Sequence, residues 1–159
     1  LVHKAKELQY HTKMINSGRY VNDSMGRYIG KKVVKKIISQ GKNILGAHVL
    51  VMGMTFKENV SDIRNSKVAD IINEFKDFGA EVDVMDPFAS PSEVLREYGI
   101  RLVEKPGKKY DAVVVAVAHT TYLKLDESYF MSITNEHAVL ADVKGVYRGS
   151  IHQMIYWSL

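Results

Sequence analysis

The run Asp111-Ala112-Val113-Val114-Val115-Ala116-Val117 constrains the fold more than any other stretch. After its first residue it is continuously apolar and rich in β-branched side chains. A strand of that kind is buried on both faces and belongs in a parallel sheet covered by helices on either side. Parallel neighbours need long crossovers, so the rest of the chain must alternate helices with strands. It does. Residues 47–53 read as a first strand, followed by a polar loop. Val68, Ile71, Ile72, Phe75 and Phe78 then recur at helical spacing, which predicts a helix over 66–78 closed by Gly79. Residues 81–86 alternate as a second strand ended by Asp86-Pro87. Pro91 suits the first turn of a short helix reaching Tyr98 and capped by Gly99, and 100–103 reads as a short edge strand. Residues 125–133 read as a helix with Asp126 near its start, and 138–141 as the fourth strand. The tail at 151–159 carries Ile155, Tyr156 and Trp157 and is expected to lie on the surface of the core. The alternation predicts an α/β fold, a doubly wound parallel sheet with right-handed crossovers.

Ahead of the sheet, residues 1–10 contain Ala5 and Leu8 and read as a short helix. From about 12 to 40, Met14, Val21, Met25, Tyr28, Ile29, Val33 and Ile37 recur at three- and four-residue steps, a helical stripe. Gly18, Gly26 and Gly30 interrupt it, each at a cost of about 1 kcal/mol against Ala, and each permits close approach by another element. A helix of this length exceeds what a compact domain needs. It is expected to be a long helical arm leading in from another domain, or a dimer spine. The alternative is two ordinary helices broken near Gly18. Part of the stripe should be left without a partner, which predicts a homodimer or an arm-mediated contact. The chain starts at Leu1 inside this helical stretch and reads as a fragment. Gly41-Lys42-Asn43 ends the helix.

With 159 residues, the chain has room for one domain with a substantial core. Its net charge of +4 is spread out. The lysine clusters at 31–36 and 105–109 lack interleaved aromatics, which argues against nucleic-acid binding. The chain has no cysteine, which excludes disulfides, thiolate metal sites and a cysteine nucleophile within it. The six histidines are dispersed, without metal-ligand spacing. No membrane-length apolar run or signal peptide is visible, and a cytoplasmic location is expected.

Ligands of open parallel sheets bind off the carboxyl ends of the strands. That places residues 53–66, Asp86, His119 and 142–148 around one crevice. Lys57, Arg64, Lys144 and Arg148 give its mouth positive charge. Asp62, Asn65 or Ser66 can cap the helix that follows and aim its free N–H groups inward. Such a loop suits a phosphate, or is simply a solvated surface loop. Phe56 either stacks on a base or plugs the core. Asp86 is either a ribose-binding carboxylate or the cap of the turn at Pro87. His119 is either an acid/base group or a satisfied polar residue at a strand end. The glycine-rich dinucleotide fingerprint is absent after the first strand, so this is not the main site for NAD.

The stretch from Val51 through Gly53-Met54-Thr55-Phe56-Lys57-Glu58-Asn59-Val60-Ser61-Asp62-Ile63-Arg64-Asn65-Ser66 closely resembles the signature of the UDP-glucose/GDP-mannose dehydrogenase family. It is most similar to the branch oxidising UDP-N-acetylhexosamines. Gly18-Arg19-Tyr20-Val21-Asn22-Asp23, Asp86-Pro87, Ala116-Val117-Ala118-His119 and Asp142-Val143-Lys144-Gly145-Val146-Tyr147-Arg148 support the match in order. The resemblance implies an enzyme of three parts: an N-terminal NAD-binding domain, a central helical dimerisation domain, and a C-terminal Rossmann-like domain for the nucleotide of the sugar substrate. It implies oxidation of a sugar C6 alcohol to a carboxylate in two NAD-dependent steps through a cysteine-bound thioester. This chain resembles the end of the central domain, residues 1–41, and the UDP-sugar-binding domain, residues 42–159. The family's cysteine, lysine and asparagine fall upstream, so no catalytic residue is expected here, and NAD is held mainly by the absent N-terminal part. Carried over by motif, Phe56, Lys57 and Arg148 contact the UDP-sugar, and Arg64 reaches the NAD. Glu58 replaces a second lysine found in some relatives, which fits the N-acetylhexosamine branch. A non-catalytic nucleotide-binding or dimerisation module is the alternative.

Overall fold

The computed structural model describes residues 13–159. Five strands form one sheet: β1 (His48–Met52), β2 (Glu81–Met85), β3 (Tyr110–Val115), β4 (Thr134–Asp142) and β5 (Ile155–Ser158). Their order across the sheet is β2-β1-β3-β4-β5, and every neighbouring pair is parallel. The helices are α1 (Lys13–Ser39), α2 (Val68–Asp77), α3 (Pro91–Tyr98) and α4 (Glu127–Ile133), with a 3-10 turn at Tyr122–Lys124 before α4.

The period of two along each strand sorts the core into two layers. Val49, Val51, Ala112, Val114, Val139 and Ala141 join the layer that holds Ile29, Val33 and Ile37 of α1, Ile72 and Phe75 of α2, and Val94 of α3. Leu50, Met52, Val113, Val115 and Leu140 face the opposite way, onto Tyr122, Phe130, Tyr147 and Ile151. The sheet is thus covered on both faces, as the apolar run at 111–117 requires.

Three details differ from the sequence reading. The tail supplies a fifth strand, β5, paired in register with β4 from Val139 opposite Ile155 to Asp142 opposite Ser158. Residues 100–103 form only a single bridge, Leu102 to Val84. No acidic or hydroxyl side chain caps α2 at its N-cap position. That position is Lys67, while the Val68 N–H reaches Ser66 Oγ at 3.3 Å and Asp62 turns to the Arg64 N–H instead. The stripe on α1 is partly buried and partly left exposed, as its sequence suggested. Ile29, Val33 and Ile37 are buried, whereas Val21 and Tyr28 remain 54% and 46% exposed. Within the described residues α1 is one helix, unbroken at Gly18. The short helix read over 1–10 and the side chains of Met14 and Arg19 lie outside the described residues.

The glycines of α1 are explained by what they touch. A Cβ on Gly26 would meet Asp70 Cβ at 2.6 Å and the Lys67 carbonyl oxygen at 2.9 Å, and one on Gly30 would meet Glu74 Cβ and Cγ at 2.8 Å. The two helices therefore cross with α1 backbone directly against α2. Gly18 meets nothing within 4 Å. Helix propensity alone favours alanine at both positions by about 1 kcal/mol. Gly18→Ala should raise Tm. Gly26→Ala should lower it, because the added methyl overpacks a contact that includes backbone, at about 1–3 kcal/mol. Two thermal melts check the opposite signs.

Candidate functional site

Strand order reverses between β1 and β3, which run on to opposite sides of the sheet. At such a switch point the loops leaving the two strands part and open a crevice. Here those loops are residues 53–67 and 116–121. Gly53 makes the parting possible. It has φ 96, and a Cβ there would lie 2.6 Å from Val117 Cβ and 2.8 Å from Val117 N. A cleft of about 610 Å³ lies on this side, floored by Ala116 and Val117 and walled by Thr55, Phe56, the start of α2 and the Asn22–Ile29 stretch of α1.

The loop after β1 is closed at its base by the Phe56 N–H to the Asp62 carbonyl, at 2.7 Å. Phe56 is 59% exposed, so it does not plug the core. It lines the cleft. Lys57 follows it, exposed, with no ion pair among the described residues. The other three cations are engaged. Lys144 pairs with Glu58 at 3.5 Å. Arg148 donates to Ser158 Oγ at 2.8 Å and to the Leu159 carbonyl at 2.9 Å, and Leu159 lines the cleft. Arg64 turns away. Its guanidinium makes two bonds to Asp62, at 2.9 and 2.8 Å, on a separate surface groove shared with Glu93, Arg96 and Glu97. These bonds hold the exposed Asp62 carboxyl at about 2. The structure therefore brings Phe56 to the cleft, leaves Lys57 and Arg148 outside its lining, next to Phe56 in sequence and bonded to Leu159 respectively, and does not bring Arg64.

Asp86 organises the floor behind this loop. Its side chain is completely buried. One carboxylate oxygen, Oδ2, accepts the N–H of Met54 at 2.5 Å and of Thr55 at 3.0 Å, and faces His119 Nε2 at 3.1 Å. The other, Oδ1, accepts from the Phe88 N–H at 2.7 Å and the Ala89 N–H at 3.0 Å. The turn-capping role at Pro87 is therefore present, and the same carboxylate also ties β2 to β1 and β3. His119 is a satisfied buried residue: its Nδ1 accepts the Asn59 N–H at 3.0 Å. Sequence reasoning placed Thr55 and Asn59 at the crevice with the rest of residues 53–66 but gave neither a role. Asn59 Oδ1 accepts both the N–H and the hydroxyl of Thr120, each at 3.0 Å, and Asn59 itself adopts φ 59. An asparagine in a polar loop, a residue type that tolerates the left-handed conformation, was the one local signal available.

Burial pushes the Asp86 carboxyl up, but the His119 hydrogen bond and the N–H groups of Met54, Phe88 and Thr55 outweigh it and hold it well below the usual carboxylate range. A carboxylate depressed in the folded state stabilises it above the unfolded pKa. That contribution is lost as pH falls through the folded value. Asp62, Glu58 and Asp111 are shifted the same way. Stability to urea should therefore decline below about pH 4, the ordinary carboxylate range. Asp86→Asn should show a shallower acid decline, and an unchanged slope would count against this assignment.

A model of the UDP-glucose/GDP-mannose dehydrogenase family, UDP binding domain, matches residues 50–149. The chain belongs to this family. The match takes in both loops of the cleft and the segment ending at Arg148. UDP-N-acetyl-D-glucosamine 6-dehydrogenase of Pseudomonas aeruginosa is 39% identical over 145 residues, covering 91% of this chain and 34% of that protein. A solved UDP-N-acetyl-mannosamine dehydrogenase from Staphylococcus aureus superposes with a TM-score of 0.73 at 25% identity, over 92% of this chain and 32% of that one. A UDP-D-ManNAc dehydrogenase from Pyrococcus horikoshii shares the fold with a TM-score of 0.81 at 16% identity, over 97% of this chain and 35% of that one. The chain thus spans about a third of the length of the family relatives it matches. Among the described residues no helix is long and apolar enough to cross a membrane.

Proposed function

We propose that this chain is the UDP-binding portion of an NAD-dependent UDP-sugar 6-dehydrogenase, oxidising a UDP-N-acetylhexosamine (or UDP-hexose) to the uronic acid for surface polysaccharide synthesis. The observation that carries this reading is the family match across residues 50–149, which contains the cleft-forming loop. The 39% identity to a UDP-N-acetyl-D-glucosamine 6-dehydrogenase favours an N-acetylated sugar. In this reading Phe56 and Lys57 contact the UDP-sugar, with Phe56 offering a ring face to the base and Lys57 an unpaired ammonium to the diphosphate. Arg148 reaches the substrate from beside Leu159. Arg64, turned to its own groove, serves NAD, which is held mainly by an N-terminal domain. Residues 1–41 close the central domain and 42–159 form the nucleotide-binding one. The exposed Tyr20, Val21 and Tyr28 on α1 support a homodimer. A cysteine-free chain fits a cytoplasmic location.

Calorimetry with UDP tests the reading. The 159-residue chain should bind UDP weakly, and less so as salt rises. Lys57→Ala should lose about 1.5–3 kcal/mol, the range for a hydrogen bond to a charged group. Arg64→Ala should leave UDP binding unchanged. An absent UDP signal, or equal losses in both variants, would overturn the site assignment. NADH production from a UDP-sugar by this cysteine-free chain would overturn the assignment of the chemistry to other segments. A strict monomer by light scattering at high concentration would count against the dimer.

A further inference from the structure

His119 is fully buried, and nothing in the proposed recognition of UDP uses it. Its two ring nitrogens face partners of opposite kind. Nδ1 receives the Asn59 N–H at 3.0 Å. A ring nitrogen that accepts from an amide carries no proton, so the proton of the neutral ring sits on Nε2. There it faces Asp86 Oδ2 at 3.1 Å and Thr55 Oγ1 at 3.3 Å. The partners thereby select one tautomer. The loop is tied at both ends to this ring and its neighbour. Thr55 Oγ1 donates to the Lys57 carbonyl at 3.0 Å, and Asn59 is held by His119 and Thr120. Phe56, Lys57 and Glu58 hang between those ties.

We infer that His119 is a positioning residue for the nucleotide-binding loop: its neutral Nε2–H form holds Phe56, Lys57 and Glu58 in place, and a proton on Nδ1 releases them. The inference rests on the proposed role of that loop in binding a UDP-sugar. The physical reason is a donor conflict. A protonated Nδ1 points an N–H at the Asn59 N–H, so that hydrogen bond must break. The lost acceptor also leaves a backbone N–H without a partner unless the loop moves to water. The groups around the ring divide over the added proton. The Asp86 carboxylate, from the end of β2, favours it, as does Glu58 in the loop, itself paired to Lys144. Burial and the Asn59 N–H oppose it. Tyr122 meets the ring edge-on at 5.4 Å, and Phe88 lies over it at 4.9 Å, both uncharged.

The experiment uses UDP-N-acetylglucosamine as the probe. Its diphosphate is esterified at both ends, so the ligand keeps its charge while the protein titrates. At neutral pH, nitrogen-15 spectra of the wild-type chain should show His119 protonated on Nε2 only. On acidification the amides of residues 56–59 should shift together with that imidazole. Affinity should fall about tenfold over the same interval, the worth of about one hydrogen bond. His119→Gln places an amide nitrogen where Nε2 was and offers Asn59 no acceptor. It should bind about tenfold more weakly at neutral pH and lose the pH response. His119→Asn places an oxygen where Nδ1 was and should stay within about threefold of wild type. An Nδ1-protonated tautomer, loop amides indifferent to the imidazole, or equal losses in the two variants would overturn the inference. If either variant fails to fold, the wild-type spectra decide. If the wild type does not bind the sugar nucleotide, the functional reading fails, and the spectra still decide whether His119 holds the loop.

Discussion

Asp86→Ala unfolds at a much lower urea concentration than the wild-type chain, with an unchanged slope, and it shows the largest loss of any single substitution considered. The carboxylate receives four backbone N–H groups and faces the His119 ring from a side chain with no solvent exposure. Removing it leaves those donors buried without acceptors. Each buried donor left without an acceptor costs about 1–3 kcal/mol, and several are orphaned here at once. Asp86→Asn keeps one acceptor oxygen and should fall between the two. The loops behind β1, β2 and β3 meet at this carboxylate, so Asp86→Ala should also abolish UDP binding at temperatures where the chain remains folded. A midpoint shift worth less than about 1 kcal/mol would mean that water replaces the carboxylate in satisfying the orphaned N–H groups.

Gly53→Ala is expected to be the second most damaging change. It combines two costs that usually occur apart. At φ 96 a side chain is strained whatever the space, and the new methyl would also lie 2.6 Å from Val117 Cβ and 2.8 Å from Val117 N. Backbone strain costs about 1–3 kcal/mol and overpacking about as much again, for a total of roughly 2–6 kcal/mol. Val117→Ala should not rescue it, because the contacts are to Cβ and to main chain. Gly107→Ala is the control: φ there is not positive and nothing lies within 4 Å, so its melt should match wild type. A Gly53→Ala melt equal to that control would show that β1 and β3 part more freely than their geometry implies.

What the sequence made legible follows from the range over which each interaction acts. The four longer strands and the helices between them were readable because their signal is local: β-branched runs, three- and four-residue steps, and Gly79 and Gly99 past helix ends. β5 was not readable as a strand. Its four residues, Ile155 to Ser158, are all half-buried and pair with β4 alone, so neither alternation nor continuous burial marks them. Asp86 was half legible. Its bonds to Phe88 and Ala89 are near-neighbour turn chemistry, whereas Met54, Thr55 and His119 reach it only through the fold. Arg64 read as a crevice cation because its charge is visible in sequence and its direction is not. Asp62, two residues earlier, fixes that direction by chelating the guanidinium. Lys67 took the cap position expected of Asp62, Asn65 or Ser66 because α2 begins at Val68, later than its periodicity suggested.

The all-parallel sheet also sets the order in which this protein can assemble. No two neighbouring strands are joined by a hairpin, so no pair forms early by itself. Central β1 meets β2 only after α2 has been traversed, and Val49 must also find Ala112, far along the chain. Closing such loops opposes folding before any sheet exists, which places the chain among slow folders rather than fast helical ones. β5 has only β4 to join, as β2 at the other edge has only β1 among the five strands, so each edge strand is held on one side and opens more readily than the strands between them. Leu159, just beyond β5, forms part of the cleft wall. One wall of the cleft therefore depends on the docking of an edge strand.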